Sequence, residues 1–303
     1  MFEWAESLGG TIMENRAGLI AFALVLWFTV SFALTNSMAG LAYRGGSDPL
    51  TVATFRFIVP TVVLAVTLWF TGARFTLPRR DAIAAVGLGL ITAGFSFAIL
   101  NSIEMLGVSL AVLIFFLFPL FTSLIVAVMG WEKLTKTTVI AAFVAFAGLA
   151  LTLGVNGESL AVLGIIFGLI GALGLAAVSA VSSRVIRSGD SRQVTFYIVS
   201  TAAVVFIAFS FIRGDLQLPN TSEGWVGVAG TSIFYACGII GFFAAISRIG
   251  PAKATLYSYV EPLFTMFAAF IFLGELLMPL QIVGALIVVG ALTATGIAGL
   301  RER

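Results

Sequence analysis

The chain has 303 residues, of which 60% are hydrophobic and 10% charged, with a net charge of +2 and a mean hydropathy of +1.13. An ordinary soluble domain carries roughly 25% charged residues, so a water-soluble globule is excluded and an all-α polytopic membrane protein is expected. Cys237 is the single cysteine and there is no histidine. That excludes an intrachain disulfide, a cysteine metal cluster, histidine relays and the usual catalytic triads, and leaves carboxylates as the proton carriers.

A helix needs about 20 apolar residues to cross the hydrocarbon core. Ten spans are expected on that measure, at 17–38, 49–70, 82–103, 107–128, 137–155, 160–182, 194–212, 225–247, 252–273 and 279–299. Glu3, Glu6 and Glu14 precede an apolar run too long for a signal peptide, which predicts a retained first helix. Breakers and charges mark the loops: GGSDP at 45–49, TLPRRD at 76–81, RSGDSR at 187–192 and LPNTSEG at 218–224. The connections are short, so no extramembrane domain is expected.

Basic residues predict the orientation. With the N-terminus inside, the inner segments hold Arg16, Arg74, Arg79, Arg80, Lys133, Lys136, Arg184, Arg187, Arg192, Arg248, Lys253, Arg301 and Arg303. The outer loops hold Arg44 and Arg213 alone, and Arg56 lies within a span. This bias predicts two cytoplasmic termini.

Residues 107–132 read GVSLAVLIFFLFPLFTSLIVAVMGWE, and residues 250–275 read GPAKATLYSYVEPLFTMFAAFIFLGE. Gly107 recurs as Gly250, PLFT at 119–122 as PLFT at 262–265, and Glu132 as Glu275, all in one register. Two five-span halves are therefore expected, 1–155 and 156–303, with the boundary near 154–160. An odd number of spans per half makes the halves inverted copies, the arrangement of alternating-access transporters with a midplane site in a central cavity.

Glu261 lies about ten residues into span nine, hence about 15 Å deep at 1.5 Å per residue. A carboxylate at that depth is costly and marks either function or a structural pair with Arg56. Tyr257, Ser258 and Thr265 share its face at helical spacing. Pro262 brings no N–H to the Ser258 carbonyl, which predicts a free acceptor beside the acid. Pro119 stands in the same place in the first half, so Pro119 and Pro262 are candidate gating breaks. Arg56 suits a substrate carboxylate, a protein carboxylate, or snorkelling to the outer interface. Trp27, Tyr235, Tyr257 and Tyr259 fall inside spans, where their polar atoms need a partner or a wet cavity. Asn101, with Ser102 and Glu104, forms a polar end to span three that is either a solvated terminus or part of the site. Gly164, Gly168, Gly171 and Gly174 predict a smooth packing face on span six, and Gly284 and Gly290 another on span ten. The Gly-rich turn and Lys-Ser/Thr of a phosphate loop are absent, so ATP-driven pumping is not expected. No nucleophile–base pair lies in the spans, so an enzyme is not expected either.

Ten short-looped spans in five-plus-five order resemble the drug/metabolite transporter superfamily. EPLFTMFAAFIFLGE at 261–275, QIVGALIVVGALTATG at 281–296 and PLTVATFRF at 49–57 resemble its EamA-type branch, and within it the YddG-type bacterial amino-acid exporters. The resemblance implies a ten-helix bundle around a central cavity in the bacterial inner membrane, exporting amino acids, aromatic ones included. It implies no cofactor, no metal and no nucleic-acid partner. A monomer would suffice, and protons are a candidate coupling ion. Tyr197 stands where the second half would repeat Arg56, and Phe118 where the first would repeat Glu261. Another metabolite or drug class in the same fold, sugar phosphates among them, and a channel-like pore are the alternatives. A phosphate substrate would call for paired in-membrane cations, and Arg56 stands alone.

Overall fold

The computed structural model describes residues 2–106, 108–153, 161–186, 190–214, 216–273 and 278–301. Gly107, Glu275 and the 154–160 boundary lie outside them. The described residues form helices and turns: α1 Phe2–Arg44, α2 Pro49–Phe70, α3 Arg79–Leu106, α4 Val108–Phe115, α5 Phe118–Val128, α6 Lys136–Leu153, α7 Val162–Ile186, α8 Ser191–Arg213, α9 Ser222–Ile249, α10 Pro251–Tyr257, α11 Glu261–Leu273 and α12 Pro279–Arg301. Among the described residues, eight helices, with α4 and α5 counted together, are long and apolar enough to cross a membrane. Leu19–Arg44 is the part of α1 that meets this test, although the helix begins at Phe2.

Local chemistry sets the helix ends. Asp48 accepts the Thr51 N–H at 3.0 Å and Pro49 occupies the first turn of α2, where its missing donor costs nothing. Thr221 accepts the Gly224 N–H at 3.1 Å to start α9. Gly250, at φ +81 and ψ 160, joins α9 to α10 in a backbone region that side-chain-bearing residues avoid.

Two of the expected spans are broken. Span four divides into α4 and α5 at Phe116–Leu117, and span nine divides at a 3-10 turn, Ser258–Val260, between α10 and α11. Each break falls just before a proline, Pro119 or Pro262, which cannot donate into the preceding turn. The element starts keep the register of the two motifs. Each of α3, α4, α5 and α6 begins as far from its counterpart, α9, α10, α11 or α12, as Pro119 stands from Pro262. The breaks also touch. Phe116 and Tyr259, equivalent positions in that register, sit with ring centroids 6.1 Å from one another.

In the packing, α1 runs along α9, α3 along α7, and α6 along α12, while α2 and α3 both meet α8. A large core cluster joins α1, α2, α3, α7, α8 and α9, and a second surrounds the two breaks. Outward-facing large apolar side chains such as Phe22, Trp69, Phe70 and Phe211 leave a surface suited to lipid.

The α7 glycines behave as expected. A Cβ at Gly164 would press on Met105 and Leu106, at Gly168 on Ile114 and Ser102, and at Gly174 on Phe95. Gly284 likewise lies against the Gly148 carbonyl, but a Cβ at Gly290 would meet nothing within 4 Å among the described residues. The closest seam was not anticipated. Gly227, Gly230, Gly238 and Gly241 of α9 face α1, Gly224 meets Gly45 just beyond it, and at Gly227 a Cβ would overlap the Ala42 backbone. Close backbone approach supplies the dispersion contact that holds helices together in lipid, where the hydrophobic effect does not.

Tyr259 is fully buried, and its hydroxyl has no hydrogen-bond partner among the described residues. A buried unsatisfied hydroxyl costs about 1–3 kcal/mol. Tyr259→Phe removes that cost without opening a cavity, so thermal unfolding in detergent is expected to shift upward by about 2–6 °C. A lowered midpoint would mean that the hydroxyl is bonded after all.

Candidate functional site

Four helices bring the site together. Glu261 opens α11 directly after the 3-10 turn, and its carboxylate Oε1 accepts a hydrogen bond of 3.0 Å from the Asn36 amide of α1. Arg56, half-buried on α2, places its guanidinium carbon 4.0 Å from the centre of the Tyr235 ring on α9. That separation is a cation–π contact. The Arg56 Nε is buried and has no hydrogen-bond partner among the described residues. Pro60, four residues on, brings no N–H to the Arg56 carbonyl, so the backbone is weakened at the same point.

Glu261 and Arg56 are within electrostatic reach, but they are not in ion-pair contact. The structural pair considered from sequence is therefore not formed. Glu261 is bonded to Asn36 instead, and Arg56 lies against the Tyr235 ring. Around them Tyr235 contacts Phe32 at 5.8 Å and Phe57 at 5.5 Å, and Phe57 stacks on Phe206 at 5.3 Å. The arrangement is one guanidinium set in an aromatic cluster, with one carboxyl group within electrostatic reach of it.

Other expected members are placed differently. The Ser258 carbonyl is not free, because the 3-10 turn gives it the Glu261 N–H, a partner three residues on instead of four. The Ser258 hydroxyl is buried and donates to the Ala254 carbonyl at 3.4 Å. Tyr257 is half-buried between the two core clusters. The Trp27 indole donates to the Cys237 carbonyl at 3.0 Å, so it ties α1 to α9 with its polar atom satisfied. Asn101 folds back onto its own helix, donating to the Phe97 carbonyl at 2.8 Å, and contributes nothing to the group around Glu261. Asn36 is the member that sequence reasoning missed. A lone Asn toward the end of an apolar span was the available signal, since an amide within a span needs a polar partner.

Two cavities, of about 380 and about 340 Å³, lie where α7 and α9 end and α8 and α10 begin. Neither is lined by Glu261, Arg56 or Tyr235, so the expected central cavity does not coincide with either cleft. Asp190 caps α8 beside them. Its hydrogen bonds from the Arg192 guanidinium hold this carboxyl below the usual carboxylate range. Among the described residues, no cluster of three or more His, Cys, Asp or Glu could hold a metal ion.

A polytopic helical bundle with one basic and one acidic side chain set among converging helices suits a membrane transport protein. The EamA-like transporter family profile matches residues 19–154 and again 162–296, so the chain belongs to that family. The two matches begin in the same register as the two PLFT motifs. The chain is 26% identical over 295 residues to the uncharacterized transporter YyaM of Bacillus subtilis strain 168, covering 91% of this chain and 93% of that protein. It is 25% identical over 284 residues to an uncharacterized transporter of Archaeoglobus fulgidus, covering 93% and 97%. A solved crystal structure of a protein 20% identical to this chain superposes with a TM-score of 0.77, covering 95% of this chain and 99% of that one. At that identity the likeness shows the fold alone.

Proposed function

We propose that this protein exports amino acids, aromatic ones included, across the bacterial inner membrane by alternating access. The observation that carries this reading is the uncoupled charge pair. Arg56 is free to take a substrate carboxylate, and Glu261, steadied by Asn36, is free to take the ammonium group. A zwitterion satisfies both, and the Phe32–Tyr235–Phe57 rings suit an apolar side chain.

Ten spans in two inverted five-helix repeats, 1–155 and 156–303, form the moving parts, with both termini cytoplasmic. This is supported by the recurring element starts and by the packing. Exchanging each helix with its counterpart turns the α1–α9 contact into α7–α3, α2–α9 into α8–α3, and α5–α7 into α11–α1, all of which occur. The Phe116–Tyr259 contact joins equivalent residues, as expected on the axis between the repeats. Pro119 and Pro262 then set the two breaks about which the halves rock.

The test is flux of a panel of labelled amino acids from liposomes containing the purified protein, with and without a pH gradient. Saturable flux and counterflow are expected, and no flux of any amino acid ends the substrate assignment. Flux that never saturates would make the protein a pore. With Glu261 as the coupling group, Glu261→Gln is expected to lose any response to the pH gradient while the protein stays folded. An unchanged response would make the acid structural.

A further inference from the structure

The two cavities at the α7–α10 end belong to no part of the group around Glu261. The first is lined by Ser183, Ser191, Ser247 and Arg248, with Gly250 and Pro251 along one side. The second shares Ser191 and Arg248 and adds Asp190, Arg192 and Thr195. Each volume lies within the roughly 300–1,000 Å³ of small-molecule sites, so the pair can admit a small molecule or a lipid headgroup.

Their two arginines are not equally engaged. Arg192 is committed to Asp190, with Nη2 and Oδ2 at 2.5 Å and Nε donating to the same carboxylate. Arg248 has no ion-pair partner among the described residues. Its guanidinium makes one long hydrogen bond, 3.4 Å, to the Ala244 carbonyl of its own helix. The Glu132 carboxylate lies against Gly250 at the edge of the first cleft, but it forms no ion pair with Arg248. One guanidinium outside any ion pair is therefore shared by both clefts. Ser183 and Ser247 spend their hydroxyl protons on the Ala180 and Ala244 carbonyls, at 2.6 and 2.8 Å. Ser191 differs. It lines both clefts at the head of the 23-residue α8, and no described residue accepts its hydroxyl proton. A guanidinium outside any ion pair and a hydroxyl donor lining the same open clefts match an oxyanion in charge and in hydrogen-bond sense.

We infer that this cleft is a second binding site, taking a single oxyanion group, a carboxylate or a phosphate, between Arg248 and Ser191. The site does not depend on which substrate Arg56 and Glu261 receive. In the proposed orientation it faces the cytoplasm, where a soluble metabolite anion and an anionic lipid headgroup both carry the required chemistry.

Cys237 is the only native thiol, so Cys237→Ser with Ser247→Cys places one reporter in the cleft. The protein is reconstituted in phosphatidylcholine vesicles, and the reporter is alkylated with anionic and cationic thiosulfonates. A lone cation within a few ångströms is expected to favour the anionic reagent on the order of five-fold. Arg248→Gln should abolish that preference and Arg248→Lys should retain it. Inorganic phosphate, or sodium acetate, at fixed ionic strength should slow labelling at least about two-fold if the ligand is soluble. Vesicles with a quarter phosphatidylglycerol should do so if it is a headgroup. The two results identify the source, and either supports the site. No protection by any of the three, or protection that survives Arg248→Gln, overturns it. The thermal midpoint of the protein with its cleft intact, with and without phosphate and phosphatidylglycerol, gives an answer independent of the reporter. No Arg248-dependent rise with either also overturns the site. A protected cleft in a protein that moves no amino acid, or export without protection, separates this inference from the transport reading.

Discussion

Arg56→Gln is expected to lower amino-acid flux in liposomes by about ten-fold to a hundred-fold, with folded protein recovered in normal amounts. The magnitude follows from losing hydrogen bonds to a charged substrate group, about 1.5–3 kcal/mol, at tenfold per 1.4 kcal/mol. The folding side of the argument is as direct. Arg56 is in no ion-pair contact with a carboxylate, and its Nε is buried without a partner among the described residues, so glutamine breaks no salt bridge. The cation–π contact with Tyr235 is worth only about 0.5–2 kcal/mol. A cation held at this depth for so small a return is better explained by a ligand than by stability. Arg56→Lys retains the charge but loses the planar group over the ring and the two-pronged geometry for a carboxylate, so an intermediate flux is expected. Flux equal to that of the unaltered protein in Arg56→Gln, with an unchanged thermal midpoint, would remove Arg56 from the site.

Gly227→Ala should be among the most damaging small substitutions at the described glycines. The added methyl would meet the Ala42 backbone, with Cα at 2.8 Å, and backbone atoms of a packed helix cannot swing aside as a side-chain tip does. The substitution must separate α1 from α9 along the seam that carries Asn36 on one helix and Tyr235 on the other. Overpacking costs typically 1–3 kcal/mol, and this contact belongs at the top of that range, so a fall of about 6–12 °C in the midpoint is expected. Gly290→Ala is the matched control, since nothing lies within 4 Å of its Cβ position and alanine favours the helix. Equal midpoints for the two variants would show that the α1–α9 contact is looser than described.

Much of the architecture was legible beforehand because its causes are local. Apolar runs of span length, the Asp48–Pro49 and Thr221 starts, and the prolines at the breaks act within a few residues of themselves. The internal repeat needed only comparison of the chain with itself. The α9 glycines Gly224, Gly227 and Gly230 recur every third residue, but glycine is abundant throughout the chain and that spacing does not single them out. The site was less legible. Asn36 and Glu261 are 225 positions apart, and nothing in either neighbourhood names the other. The Ser258 carbonyl failed for a different reason: removing a helical donor does not leave an acceptor free when the chain tightens into a 3-10 turn and supplies the next N–H.

Sequence alone therefore determined that this chain is a multi-helix membrane protein of duplicated plan, broken before Pro119 and Pro262, with an acid in the second half that the first half lacks. Tertiary structure decided what that acid and the lone span arginine do with each other, which is not to pair. Helix rotation and lateral neighbours set that outcome, and both depend on contacts between segments far apart in the chain. A charge inside a span must be accommodated, but which partner accommodates it is a property of the packed bundle.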